Sequence, residues 1–314
     1  MSDEIHDDLA VAALDDDGEP DASLESDLHE AGIVSVQSPW RRYLRTFVRN
    51  RLALAGACFL LLLVVVAVFA GPLAPYDPNK QDLMSSLLTP SADHPFGTDL
   101  FGRDAFSRAI YGTRISLLAG LEAVSIAVVL GTVLGLIAGY RGGWADSGLS
   151  FLANTILGVP GLVLAIAVVG SLGPGLTNAM FALGLIFMPR FFRLVRSSTR
   201  SIREEPFVVA SVSIGCSVPR LLFTHILPNA LPPLLVDISL VFGTSILAEA
   251  ALSYLGLGVQ PPTASWGSML SEASNRLDQA YLLWFPGLLL ILTVLALAYV
   301  ADGLRDALGA RRRS

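Results

Sequence analysis

Runs of apolar residues close to twenty positions long, parted by shorter polar stretches, dominate this sequence. An α-helix rises about 1.5 Å per residue, so about 20 apolar residues cross roughly 30 Å of hydrocarbon. Six runs approach that length: about Leu52 to Pro72, Ile115 to Tyr140, Leu149 to Leu172, Leu176 to Val195, Leu231 to Leu252 and Leu282 to Val300. The pattern predicts an all-α protein with six membrane-spanning helices, and an even number of spans puts both ends on one side. One stretch breaks the pattern. Residues 202–229, IREEPFVVASVSIGCSVPRLLFTHILPN, are too short and interrupted to span, yet too apolar to face water.

Within that stretch Pro206 suits a first helical position, where its missing N–H costs nothing. The spacing predicts about two turns of helix over Phe207 to Ile214, stopped at Gly215. A second short helix follows, with Ser217 as N-cap, Pro219 just inside it and Pro228 ending it. On the first of these helices Phe207, Val208, Val209, Val212 and Ile214 cover most of the circumference. Leaving one such side chain exposed forgoes about 1.5–3 kcal/mol, and a helix apolar all round wants cover on every side. A helix lying in the lipid interface would pair one apolar face with a basic one. This one has no Lys or Arg between Arg203 and Arg220, which favours docking into a partner protein.

Composition fits the spans. The chain is 53% hydrophobic and 15% charged, where a soluble protein carries roughly a quarter charged residues. Basic residues collect at cytoplasmic flanks. Five arginines precede the first span, Arg141 follows the second, six lie from Arg190 to Arg220, and four follow the sixth. Lys80, Arg103, Arg108, Arg114 and Arg276 fall on the other side. Both termini are therefore expected in the cytoplasm. The formal charge of −6 pools two regions. Residues 1–39 hold twelve acidic groups and no Lys or Arg; the other 275 residues hold 21 basic and 15 acidic groups, a net +6. Such an acidic stretch cannot bury enough apolar surface to offset its ordering entropy, so a disordered, solvated tail is expected. Without a positive start and a continuous apolar stretch it does not read as a signal peptide. Cys58 and Cys216 supply neither a disulfide framework nor a metal spacing.

Inside the second run, Gly131, Gly135 and Gly139 recur at i, i+4, i+8, a small-residue face that lets helices pack closely. In the third, Pro160, with Gly158 and Gly161 beside it, predicts a kink that either lines a pathway or serves packing. Ionisable groups within spans are functional suspects. The acidic ones are Glu122, Asp237 and Glu249, all toward span ends, where an interfacial position is expected. Pro160, Gly161 and Glu249 are the pathway candidates. His94 and His225 are lone histidines with no second metal ligand at useful spacing.

The spacing of Ala210, Gly215, Leu227 and Pro228 in FVVAS…G…HILPN resembles the cytoplasmic coupling loop of binding-protein-dependent ABC importer permeases. Val209 stands where that family commonly has Glu, and Ser211 replaces its second Ala. Residues 94–117 (HPFGTDLFGRDAFSRAIYGTRISL), 248–270 (AEAALSYLGLGVQPPTASWGSML) and 301–308 (ADGLRDAL) resemble the C-type permease of dipeptide and oligopeptide importers. Phe151 and Asn154 depart from that pattern, which commonly has a basic and an acidic residue there. Read physically, Asp104 can cap a short helix ending at Gly112, and GLGVQPPTASWG suits a turn anchored by Trp266 at the interface.

The resemblance implies a type I ABC importer permease fold in the cell membrane, working with a second homologous permease, two ATPase subunits and an external binding protein. Phe207, Val208, Val209, Ala210, Ser211 and Gly215 would form the ATPase-docking surface. The implied organisation is residues 1–39 as tail, 40–112 as first span and extracytoplasmic segment, 113–303 as transport domain with the coupling loop at about 200–228, and 304–314 as a basic end. No cofactor is expected in this chain and no nucleic acid. A phosphate-cradling loop needs a Gly-Lys-Ser/Thr sequence, and Lys80 in YDPNKQ is the only lysine, so ATP and Mg²⁺ belong to the partners. An intramembrane enzyme would need a nucleophile with its base, or His-Glu-x-x-His, and neither is written here. An ion-coupled carrier is disfavoured by the scarcity of charge within the spans.

Overall fold

The computed structural model describes residues 45–274 and 279–309, so the acidic stretch 1–39 and the basic residues 311–313 lie outside the described residues. The described residues from Thr46 onward form one compact unit. Its helices are α1 (Arg51–Val68), α2 (Ala105–Arg141), α3 (Gly143–Gly158), α4 (Gly161–Leu172), α5 (Leu176–Arg203), α6 (Pro206–Ser213), α7 (Leu227–Tyr254), α8 (Trp266–Ser274) and α9 (Tyr281–Gly309). Among the described residues there is no β-strand, only an isolated bridge between Thr98 and Asp104. Four of these helices, and the continuous Val218–Tyr254 that contains α7, are each long and apolar enough to cross a membrane; α3 and α4 reach that length and apolarity only together, as one broken span or a re-entrant loop.

That break is sharper than the expected kink. α3 and α4 meet at 96°. The residue before a proline is driven to extended backbone, and Val159 (φ −98°, ψ 132°) duly ends α3. Pro160 then starts α4 from ψ 124°, with the Leu164 N–H donating to the Pro160 carbonyl at 3.0 Å.

α2 departs from expectation in the other direction. Asp104 is its N-cap, accepting the Ser107 N–H at 2.7 Å, but the helix does not stop at Gly112; it runs on to Arg141, 37 residues in all. Gly112 packs beside Trp266 instead: a Cβ there would lie 3.4 Å from Cδ1 of the indole, an ordinary van der Waals contact. Pro228 likewise fails to end a helix. Leu221–Ile226 forms a π-helical segment that runs directly into α7. The wider turn accommodates a proline without an N–H, and the Asn229 side-chain amide donates to the His225 carbonyl at 2.7 Å.

α2 and α5 form the centre of the bundle. A Cβ on Gly131, Gly135 or Gly139 would sit 2.8–2.9 Å from the carbonyl oxygens of Met188, Phe192 and Arg196 respectively, so the glycine face is where α5 touches α2 backbone to backbone. α1 and α9 pack together on the outside, joined at one end by Asn50, whose Nδ2 donates to Asp306 at 3.1 Å. At the other end the 74–104 segment is clamped to α8. Arg108, 1% exposed, donates to both oxygens of Glu272 at 3.1 and 3.2 Å, while Arg103 bridges Asp99 (2.6 Å) and Glu272 (2.9 Å).

Candidate coupling surface and pathway residues

α6 is built much as its sequence predicts, one residue earlier. Pro206 is its first residue and Ile214 its C-cap. Gly215 follows at φ +82°, its N–H donating to the Val212 carbonyl at 3.0 Å, while the Cys216 N–H reaches back to Ser211 at 3.0 Å. These two bonds define a Schellman stop, which needs a left-handed residue between them. Val208 alone is buried, 1% exposed, and packs into the core with Leu221 and Ile226. Phe207, Val209, Val212 and Ile214 are 45%, 55%, 51% and 86% exposed. Ala210 and Gly215 are exposed too, and Ser211 is half-buried, its hydroxyl donating to the Phe207 carbonyl at 2.7 Å. One anchored side and three bare apolar sides is the geometry of an element awaiting cover.

The pathway candidates do not form one site. Pro160 is exposed at the α3–α4 break, with Gly161 half-buried beside it, where a Cβ would come 3.3 Å from Ile186. Glu249 is fully buried, 0% exposed, in the bundle. Its carboxyl accepts from Ser253 Oγ at 2.6 Å and Ser116 Oγ at 3.4 Å. Ser116 Oγ also accepts the Trp266 N–H (3.2 Å), and Ser253 Oγ accepts that of Val259 (3.1 Å). Glu249 therefore ties α2, α7 and the segment leading into α8.

Sequence reasoning flagged Asp237 and Asn154 without finding their partners. Arg190 of α5 grips Asp237 of α7 with Nη2 to Oδ1 at 2.6 Å and Nε to Oδ2 at 3.0 Å. Arg193 donates to Asn154 of α3 at 2.8 Å, and Arg196 pairs with Asp146 of α3. The signal was present: arginines at 190, 193, 196, 200 and 203 recur at helical spacing.

A family model described as "Binding-protein-dependent transport system inner membrane component" matches residues 131–314, more than half the chain. The chain belongs to this family. A second model, the N-terminal TM domain of oligopeptide transport permease C, matches residues 38–90. Among curated relatives, the dipeptide transport system permease protein DppC of Alkalihalophilus pseudofirmus is 44% identical over 278 residues, covering 88% of this chain and 91% of its own. The glutathione transport system permease protein GsiD of Pectobacterium atrosepticum is 42% identical over 282 residues, covering 89% and 94%. An inward-facing structure of the MetNI methionine ABC transporter matches 65% of this chain and 96% of its own at TM-score 0.50 and 19% identity, a likeness of fold. The protein is a multi-pass inner-membrane permease of the ABC importer type, a transport subunit and not an enzyme; neither the carrier nor the intramembrane-enzyme reading finds support.

Proposed function

We propose that this chain is the C-type permease of a dipeptide and oligopeptide importer. With a second, homologous permease it forms the translocation pathway. Two ATPase subunits, which bind ATP and Mg²⁺, dock beneath the permease pair, with the bare faces of α6 as this chain's docking surface, and an external binding protein delivers the peptide. Both termini lie on the cytoplasmic side, as the arginine bias indicates. ATP binding draws the ATPases together and carries α6 with them, switching the pathway between inward- and outward-facing; hydrolysis resets it. No cofactor is held by this chain.

The observation that carries this reading is α6 itself: Val208 fixes the helix to the bundle while four large apolar side chains remain uncovered. The exposed break at Pro160 adds support, since irregular backbone at membrane depth persists only against protein or a watery cavity. Peptide as substrate is supported by relatives named for dipeptide, di/tripeptide and glutathione transport.

The test is extraction of the chain from its native membrane in mild detergent, with mass identification of what stays bound, followed by peptide uptake in vesicles containing the recovered complex. A second six-span permease, ATPase subunits and ATP-dependent peptide accumulation are expected. Recovery of the chain alone, with α6 still protected from proteolysis, would mean that lipid or its own bundle covers that helix.

A further inference from the structure

Arg190, Arg193, Arg196 and Arg200 lie on the side of α5 turned away from Met188, Phe191, Phe192, Val195 and Thr199, which bury the opposite side against α2. Their depth is the first point. At about 1.5 Å per residue, Arg190 lies about 21 Å and Arg193 about 26 Å along a helix about 42 Å long. Both fall inside the apolar run from Leu176 to Val195, toward its cytoplasmic end, and both are exposed. Hydrocarbon strongly disfavours such a face, so it meets a water-filled space or protein.

Charge is the second point. Asp237 takes Arg190, and Asp146 takes Arg196 with Arg200 3.9 Å away, so two carboxylates face four guanidinium groups. Arg193 is the one whose partner is neutral. It gives one N–H to the Asn154 amide oxygen at 2.8 Å, and among the described residues no carboxylate lies within ion-pair distance of it. A guanidinium fork matches a carboxylate better than any other side chain does. Shared with the Asn154 amide oxygen, it would bind such a group only loosely, as a conducting site must.

We infer that Arg193, with Arg190 beside it, is an anion-binding step of the translocation pathway that takes the carboxylate of a passing peptide. This rests on the reading of the chain as a peptide importer's permease.

The experiment uses the complete importer, both permeases with ATPases and binding protein, in vesicles. Uptake of dialanine is compared with that of its C-terminal amide, both first shown to load the binding protein, in wild type, Arg193→Gln and Arg193→Lys. ATP hydrolysis stimulated by loaded binding protein is read in parallel. Arg193→Gln should cut dialanine uptake about ten-fold, the factor expected from one lost charge-assisted hydrogen bond, with ATP hydrolysis unchanged. Arg193→Lys should keep more of it, and the amide should gain or lose less than the free acid. Equal losses for acid and amide, or no loss, overturn the inference. So does a loss that vanishes when anionic phospholipid is omitted from the vesicles, which would make a lipid headgroup the occupant. A wild-type importer that accumulates neither peptide overturns the peptide reading and this step together. An Arg193→Gln importer that accumulates dialanine as well as wild type does overturns this step alone.

Discussion

Glu249 accepts a 2.6 Å hydrogen bond from Ser253, one turn further along α7, and neither side chain reaches solvent. With Ser116 on α2 donating to the same carboxyl, Glu249 is held by hydroxyl groups alone. Glu249→Gln keeps an acceptor oxygen and nearly the same volume. Glu249→Ala leaves two buried hydroxyls without their acceptor, about 1–3 kcal/mol for each, and a cavity besides. Thermal inactivation midpoints of the purified protein should fall clearly for the Ala variant and only slightly for Gln. Equal falls would mean that the knot contributes no stability.

Gly215 is a second point where one residue type is required. Its φ of +82° costs an L-residue with a Cβ roughly 1–2 kcal/mol, although no atom lies within 4 Å of where that Cβ would be. The penalty is therefore conformational and not steric. Asn tolerates the left-handed region better than Ala, so Gly215→Asn should retain more transport than Gly215→Ala, and Gly215→Val should retain least. If all three transported alike at equal membrane levels, the stop after α6 would be dispensable.

The clamp over α8 yields a non-additive prediction. Arg103 and Arg108 are 2% and 1% exposed and share Glu272. Removing Glu272 leaves two buried cations with Asp99 alone, and breaking such a pair costs about 3–5 kcal/mol. Glu272→Leu should therefore destabilise more than the double change Arg108→Met with Glu272→Leu, which removes one of the orphaned charges. Chemical or thermal denaturation of the three proteins reads the order directly; strict additivity would show that the groups act independently.

Much of this architecture is legible in the sequence because two periodicities carry it. Apolar runs near twenty residues locate the spans, and the four-residue glycine repeat of α2 locates its contact with α5. Gly215 and Pro206 bracket α6 for equally local reasons. Prolines misled. Pro228 reads as a stop because its ring removes a donor, but a π-turn across Leu221–Ile226 absorbs it. Pro160 breaks its span by 96°, since the chain before it adopts extended backbone, and no local rule sets the angle. Gly112 looks like a helix end and is instead a seat for Trp266, a contact 154 positions away in sequence. The ion pairs from α5 to α3 and α7 are long-range as well: spacing shows that the arginines share a side but not which acids they meet.

The division of labour on α6 gives the sharpest test of the coupling surface. Phe207 and Val208 are neighbours of similar character in the sequence, yet Val208 is 1% exposed in the core and Phe207 is 45% exposed. A buried carboxylate without a partner is strongly unfavourable, so Val208→Asp should lower stability and membrane level before any question of transport arises. Phe207→Asp leaves the bundle intact and places a charge where an ATPase would have to bury it. Its expected signature is normal insertion, an unchanged melting profile for the isolated permease, loss of co-purified ATPase and loss of transport. Immunoblotting of membranes, thermal denaturation and ATPase recovery separate these outcomes. Phe207→Asp protein that retains its ATPase and transports peptide would show that α6 docks elsewhere, or not at all.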